Sequence, residues 1–234
     1  MTATRAHLTV HQFTPEALLG PLNEVEAKRA PKTLYVAGDP SIFHRRPLVS
    51  VVGSRKASAV GLARARKLAR LLVEHGAVVV SGLAEGIDTA AHIAAIEAGG
   101  KTVGVLGTPL DRTYPRSNAR LQQLMAREHA LVSQFPNGYP VQKGNFVMRN
   151  ATMALIVSAS IIVEAGDTSG ALSQGWEALR LGRSLFIMNA VFANSTLVWP
   201  AEMARYGAQV LSDDNFEYFI DELPGDVAAV DGLT

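Results

Sequence analysis

Short apolar runs alternate along this chain with longer segments in which apolar residues recur at helical spacing. Residues 61 to 74 are an example, because Leu62, Leu68 and Leu72 recur at helical spacing while Lys67 and Arg70 fall between them. Strands that take turns with helices need crossover connections, which are right-handed and produce a parallel sheet. The pattern therefore predicts an α/β fold, with a doubly wound, mostly parallel sheet and helices on both faces.

Glycine and polar turn residues mark where these elements begin and end. The predicted strands are Val49–Val52, Ala77–Ser81, Thr102–Leu106, Leu131–Ser133, Ile161–Glu164, Leu185–Met188 and Gln209–Leu211. The predicted helices are Ala59–Glu74, Ile87–Ala98, Ser117–Arg127, Val147–Val157, Ser169–Leu181 and Ala201–Arg205.

The two ends of the chain depart from this pattern. Residues 1–47 are predicted to form an extension that packs on the core as an edge element, with a helix at Leu22–Ala27 and a strand at Thr33–Val36. Residues 48–212 are predicted to form the main domain. Residues 213–234 form an acidic tail, and we expect disorder beyond Pro224.

The composition restricts the possible functions. The 234 residues carry 22 basic and 21 acidic side chains, a net charge of +1, so any nucleic-acid contact must come from a local basic patch. The chain has no cysteine, which excludes disulfides and thiolate metal sites, and its six histidines lack metal-ligand spacing. No apolar run is long enough to span a bilayer, and Met1–Val10 lacks a signal-peptide core. We therefore expect a cytoplasmic protein without a metal.

Polar and glycine-rich segments directly follow the predicted strands. In an open α/β sheet such segments meet at one edge, where exposed N–H groups at helix starts bind anions. His92 lies within an alanine-rich helix and is interpreted as packing. The strand-end segments supply the candidate phosphate-binding residues Gly53, Ser54, Arg55, Lys56, Ser81, Gly82, Gly86, Thr168, Ser169 and Gly170.

A second polar cluster lies in residues 143 to 150. Lys143 and Arg149 could neutralise phosphates, and the amides of Asn145 and Asn150 could donate hydrogen bonds to a ligand. Phe146 or Tyr139 could stack on a base, although the favoured interpretation places Phe146 in the core.

Glu164 ends a buried strand, where a carboxylate is unusual unless it is hydrogen-bonded or functional. It could orient the turn at residues 165–170, accept a ribose hydroxyl, or act as a general base with Asp88 or Glu177. The chain lacks the dinucleotide sequence GxGxxG, the phosphate-loop sequence GxxxxGK and the nucleophile sequence GxSxG. An ordinary dehydrogenase, a phosphate-loop ATPase and a serine hydrolase of that type are therefore disfavoured.

The segments LYVAGDPSIF, VSVVGSRKAS, VVVSGLAEGIDTAAHIAAIEAGGKTVGVLGTPLDRTYP, GNFVMRN and IIVEAGDTSGAL, in this order, resemble the DNA-processing protein A family, also called Smf. The resemblance covers about residues 34 to 211. It implies an extended Rossmann-like fold and a cytoplasmic homodimer that binds single-stranded DNA, assists loading of a RecA-type recombinase during transformation, and has no catalysis or cofactor. It also implies a DNA pocket formed by Gly53, Ser54, Arg55, Ser81, Gly82, Lys143, Asn145, Arg149, Asn150 and Thr168 to Gly170.

Three departures from the family pattern leave an alternative open. Glu85 stands where a basic or neutral residue is usual, Ala151 replaces the second arginine of an RNR element, and we expect the family's N-terminal helical and C-terminal winged-helix domains to be missing. The alternative is a binder or N-glycosidic hydrolase of a small nucleotide, such as a nucleoside monophosphate or an ADP-ribose-like ligand. The family is similar to lysine-decarboxylase-like hydrolases, which carry the sequence PGGxGTxxE. The double glycine of that sequence is absent from the equivalent segment Glu164–Gly170, which counts against catalysis. The apolar segment Leu185–Trp199 is either core or a dimer interface.

Overall fold

A nine-stranded sheet organises the part of the chain that the structure describes. The structure is a computed structural model, and it describes residues 9–45 and 47–223. Residues beyond Pro224, for which disorder was predicted, lie outside that part. The strands are β1 (Val10–Phe13), β2 (Leu34–Gly38), β3 (Leu48–Gly53), β4 (Val78–Ser81), β5 (Thr102–Leu106), β6 (Ala130–Ser133), β7 (Ala159–Glu164), β8 (Ser184–Met188) and β9 (Gln209–Leu211).

The helices follow the predicted alternation. They are α1 (Pro15–Leu19), α2 (Glu24–Arg29), α3 (Ala59–Glu74), α4 (Ile87–Glu97), α5 (Ala119–Glu128), α6 (Lys143–Ile156), α7 (Gly170–Arg180), α8 (Asn189–Phe192), α9 (Trp199–Arg205) and α10 (Phe216–Asp221). The seven predicted core strands and six predicted core helices are confirmed. Helix α6 begins four residues before the predicted start at Val147, so Lys143 and Asn145 lie in its first turn rather than in a loop.

The strand order places a crevice at the centre of the sheet. The order is β1-β2-β6-β5-β4-β3-β7-β8-β9, with parallel pairing from β6 to β9 and antiparallel pairing at β1 and β2. The chain runs outward from β3 to β6 and then returns to β7 on the other side of β3. Ligands bind at such a reversal in open α/β sheets, beside the carboxyl ends of the strands.

Alternate residues of the central strands are buried on opposite faces of the sheet. Val52 of β3 packs into the core beneath α6, α7 and α9, whereas Val49 and Val51 pack beneath α3 and α4. The connection after β3 therefore lies on one face, and the connection after β7 lies on the other. His92 of α4 is fully buried, and burial lowers its pKa to about 3, which agrees with its interpretation as packing.

Both ends of the described chain pack on the sheet. Strand β2 pairs with β6, and β1 with β2, so these residues form one sheet edge. At the other end, Phe216 and Phe219 of α10 are buried among residues of α3 and β8, so this part of the acidic segment contributes to the core. The interpretation of Leu185–Trp199 as core holds for most of its apolar residues, and Val198, 76% exposed, is the exception.

The burial of Phe219 predicts a large effect on stability. Its side chain is 1% exposed and its ring centroid lies 4.6 Å from that of Phe186. Phe219→Ala should lower the free energy of unfolding by about 3–5 kcal/mol, measured by chemical denaturation. The control is Tyr218→Ala in the same helix, because Tyr218 is 62% exposed and its loss should cost less than about 0.5 kcal/mol. Equal effects of the two substitutions would contradict this packing of α10.

Candidate functional site

A cleft of about 550 Å³ opens at the carboxyl ends of β3 and β7, where the strand order reverses. Three segments predicted from the sequence line it together: the loop after β3, the first half of α6, and the loop that leads into α7. From these segments the lining takes Gly53–Lys56, Phe146, Val147, Arg149, Asn150, Gly166, Thr168, Ser169 and Gly170. The fold thus assembles in one place most of the residues that the sequence reasoning grouped.

Glu164 fastens the two loops to each other. Its carboxylate accepts hydrogen bonds from Ser58, at 2.7 Å from the backbone N to Oε1 and at 2.5 Å from Oγ to Oε2. Its backbone oxygen accepts from the N–H of Ser54 at 2.7 Å. A Cβ at Gly61 would lie 2.3 Å from Oε2, so the helix leaves no further space beside this carboxylate. Glu164 thus joins β7 to the start of α3, and its contact with a ligand stays a prediction.

Two glycines of the predicted site allow the loop after β3 and the start of α4 to approach each other closely. A Cβ at Gly86, where φ is 78°, would lie 2.3 Å from the backbone oxygen of Ser54. That same oxygen accepts a hydrogen bond from the N–H of Ile87 at 3.2 Å. A Cβ at Gly53 would lie 2.6 Å from the Ile87 side chain. These glycines allow the loop after β3 to pack directly against the start of α4.

A buried charge pair forms one wall of the cleft. Arg149 is 6% exposed, and its Nη1 donates to the backbone oxygen of Val105 at 2.9 Å. Asp88 is 5% exposed, and its Oδ2 accepts from the N–H groups of Gly82 at 3.1 Å and Ala84 at 3.3 Å. Burial raises the pKa of Asp88 and lowers the pKa of Arg149, and the opposite charge of each residue counteracts the shift of the other. Arg149 therefore supplies positive charge from within the wall rather than from the surface.

Three predicted donors are already occupied by internal hydrogen bonds. The amide of Asn145 donates to the backbone oxygen of Pro140 at 3.0 Å, and that of Asn150 donates to the backbone oxygen of Gly170 at 3.1 Å. The Ser81 hydroxyl donates to the backbone oxygen of Val51 at 2.6 Å. These contacts hold α6, α7 and β4 in place around the cleft, and the ligand contacts of Asn145, Asn150 and Ser81 stay predictions.

The cations that remain open are Arg55, Lys56 and Lys143. All three are exposed, and within the described residues none of them forms an ion pair. Arg55 and Lys56 line the cleft, whereas Lys143 stands outside the lining at the first residue of α6. Opposite them, Thr168 and Gly170 are exposed in the loop before α7.

Phe146 lies in the wall of the cleft, which corrects its interpretation as a core residue. The ring is partly buried and packs over Gly107, where a Cβ would lie 2.6 Å from Cδ1 of Phe146. The Cζ of Arg55 lies 5.7 Å from its centroid, and the ring of Tyr114, 46% exposed, lies 5.2 Å away. Tyr139, the other aromatic candidate, packs instead on Phe135 at 5.1 Å. The sequence reasoning missed Tyr114 as the partner of Phe146.

The sequence reasoning also missed a series of buried, hydrogen-bonded polar side chains that connects α7 to the sheet. Gln174 lines the cleft, and its Nε2 donates to Ser160 Oγ at 3.2 Å. Ser50 Oγ donates to Ser160 Oγ at 2.8 Å. These contacts join α7, β7 and β3. The available signal was the presence of serines within otherwise apolar strands.

The other carboxylates considered in the sequence analysis are engaged elsewhere. Glu177 forms ion pairs with Arg180 at 2.6 Å and Arg29 at 3.4 Å. Glu85 accepts from the Ser117 hydroxyl at 2.7 Å, at a small side pocket of about 40 Å³ that it shares with Arg55 and Arg149. The carboxylates named for glycosidic hydrolysis therefore hold structural contacts.

The sheet and the cleft define a Rossmann-like α/β protein with an open cleft at its switch point. The sequence profile of the family described as DNA recombination-mediator protein A matches residues 14–222. The chain belongs to this family, the DNA-processing protein A family that its motifs resemble.

Individual relatives agree with this assignment. The chain is 33% identical over 196 residues to the DNA processing protein DprA of Bacillus subtilis, a match that covers 83% of this chain and 65% of that protein. It superposes on the X-ray structure of DNA processing protein A from Streptococcus pneumoniae with a TM-score of 0.77 and 31% identity, covering 92% of this chain and 74% of that one. The corresponding structure from Helicobacter pylori, described for its single-stranded DNA binding mode, gives a TM-score of 0.76, 25% identity, and coverage of 92% and 95%.

The chain spans between half and two thirds of the length of the curated relatives that it matches first, with 65% for the Bacillus subtilis protein and 55% for the Streptococcus pneumoniae protein. In the part of the chain that the structure describes, no helix has both the length and the apolar character needed to cross a bilayer.

The wall of the cleft predicts a contrast between two glycines. A Cβ at Gly82 would lie 1.6 Å from Nη1 of the buried Arg149, whereas a Cβ at Gly144 meets no atom within 4 Å. Gly82→Ala should displace the guanidinium and lower the free energy of unfolding by about 1–3 kcal/mol. Gly144→Ala should leave stability unchanged or raise it by up to about 1 kcal/mol, because alanine favours helix. Chemical denaturation measures both, and a Gly82→Ala protein as stable as the parent would contradict the placement of Arg149.

Proposed function

We propose that the cleft binds single-stranded DNA, with phosphates at the cationic loop after β3 and bases against the aromatic wall of α6. The observation that supports this most is the convergence of cations without ion pairs among the described residues and a partly exposed aromatic pair on one edge of the sheet. Arg55 takes part in both, since it is free of ion pairs within the described residues and lies 5.7 Å from the Phe146 ring. The single-stranded DNA binding described for the Helicobacter pylori relative supports the same assignment.

The phosphate contacts follow from the backbone and the charges. Helix α7 begins at Gly170 with Ser169 as its N-cap, so the positive end of an 11-residue helix dipole faces the cleft. Arg55 and Lys56 stand across the cleft from it, and Arg149 adds charge from the wall. Phosphate oxygens that enter the cleft would replace the water around these groups without requiring any internal ion pair to break.

The base contact follows from the shape of the wall. Phe146 and Tyr114 form a tilted pair, with Gly107 beneath and Arg55 above. Stacking on such a surface is tolerant of base identity, because every base has a π-face. The proposed interface therefore binds single strands with little sequence preference.

Within this proposal, the chain acts as a recombination mediator that holds incoming single strands for a RecA-type recombinase, and it works as a homodimer rather than as an enzyme. The recombinase partner and the homodimer are proposed on the basis of the family assignment. The structural contacts of Glu164 and Glu177 support a binding role over hydrolysis.

A small nucleotide is the second candidate ligand. One observation favours it: the cleft itself exposes two cations, Arg55 and Lys56, and Glu85 adds a negative charge at the adjoining pocket. One or two phosphates require fewer cations than a polymer. Thermal stabilisation by a nucleoside monophosphate or ADP-ribose, without binding to oligo-dT at low salt, would favour this candidate over DNA.

Charge reversal tests the phosphate contacts. Arg55→Glu combined with Lys143→Glu should abolish binding to oligo-dT, measured by fluorescence anisotropy at low salt, because both substitutions place negative charge beside the proposed phosphate path. The matched control reverses Arg127 and Arg205, two exposed cations near the ends of α5 and α9, at the opposite edge of the sheet. An equal loss in both double variants would indicate a nonspecific charge effect and contradict the proposed site.

Stacking on Phe146 has a different signature from phosphate contact. Phe146→Ala should weaken oligo-dT binding by about 1–3 kcal/mol without changing the slope of log affinity against log salt. Arg55→Ala should instead reduce that slope by about 0.7 if it removes one phosphate contact. Anisotropy titrations at several salt concentrations separate the two effects. Unchanged affinity of the Phe146→Ala protein for oligo-dT would contradict the proposed stacking of a base on Phe146.

A further inference from the structure

A second groove, of about 240 Å³, opens at the same edge of the sheet, between α3 and the ends of β8 and β9. Resting on the proposed function, we propose that this groove is a second phosphate-contact site for the single strand that leaves the cleft. The proposal assigns the groove one occupant, a polynucleotide backbone, and it makes binding depend on oligonucleotide length.

The groove combines cations with an apolar floor. Arg64 and Lys67 are spaced i, i+3 on α3, so they lie side by side on the helix surface. Leu71 and Phe216 contribute to the floor beneath them. Two adjacent cations above an apolar surface fit the alternation of phosphate and base along a single strand.

The groove continues the path from the cleft. Helix α3 begins directly after the loop that carries Arg55 and Lys56, and its first turn contains no acidic residue. Ala59 and Val60, exposed in that turn, carry no charge, and the Glu164 carboxylate beside the turn is hydrogen-bonded to Ser58. In the sheet, β8 and β9 follow β7 in parallel order, so the strand ends that border the groove lie on the same sheet edge as the cleft.

In the unbound protein, Asp213 forms an ion pair with Lys67, one of the two cations that line the groove. The Nζ of Lys67 lies 2.8 Å from both carboxylate oxygens of Asp213. The side chains are 58% and 78% exposed, and such exposed pairs are weak. A phosphate can therefore take the place of Asp213 at Lys67, and Asp213 acts as an internal competitor that limits the affinity of this site.

The test compares a short oligo-dT of about 6 nucleotides, which the cleft alone can hold, with one of about 20 nucleotides, by anisotropy at several salt concentrations. Arg64→Ala combined with Lys67→Ala should weaken binding of the long oligonucleotide roughly tenfold at low salt and reduce its salt slope by about 1.4, while the short one is unaffected. Asp213→Asn should strengthen binding of the long oligonucleotide alone, because it releases Lys67.

Arg66→Ala is the matched control, since Arg66 is an exposed cation of the same helix that does not line the groove. Its affinity for both oligonucleotides should stay within about twofold of the parent protein. Equal losses for short and long oligonucleotides, or no loss in the double variant, would overturn the proposal for the groove. Failure of the parent protein to bind either oligonucleotide would overturn the proposed function itself, so the two failures are distinguishable.

Discussion

The structure of the site depends on the contact between the loop after β3 and the loop after β7. These two strands are neighbours, but their following helices leave to opposite faces of the sheet, so the loops would separate without a direct connection. Glu164 provides it, because its backbone binds Ser54 and its carboxylate binds Ser58. One residue thus holds Ser58, the N-cap of α3, and the loop after β3, and so fixes the spacing of the two surfaces between which an anion can lie.

This arrangement explains how a chain with a net charge of +1 can present a site for a polyanion. Glu164 and Glu85 are committed to internal contacts, and the buried Asp88 in the cleft wall accepts hydrogen bonds from backbone N–H groups and lies near the opposite charge of Arg149. The exposed Arg55 and Lys56 have no carboxylate partner among the described residues. The local electric field of these cations, rather than the overall charge of the protein, governs binding at such a site. Salt screens this field.

The sequence predicted which segments meet better than it predicted what each side chain does there. Alternating strands and helices predict a parallel sheet whose strand ends share one edge, so the convergence of the three site segments could be anticipated. The Asn150 amide donates to the Gly170 carbonyl, 20 residues away, and Arg149 donates to the Val105 carbonyl, 44 residues away. No local pattern in the sequence encodes such contacts. The start of α6 was missed for a local reason, since Gln142 gives no side-chain cap and the apolar run begins later.

The most direct test of the account is amide hydrogen exchange of the protein with and without a saturating single-stranded oligonucleotide. The account predicts new protection concentrated in residues 53–58, in the first half of α6 and in residues 165–170, with unchanged exchange at the amino ends of the parallel strands. Protection confined to other surfaces, with these three segments unaffected by bound DNA, would contradict it.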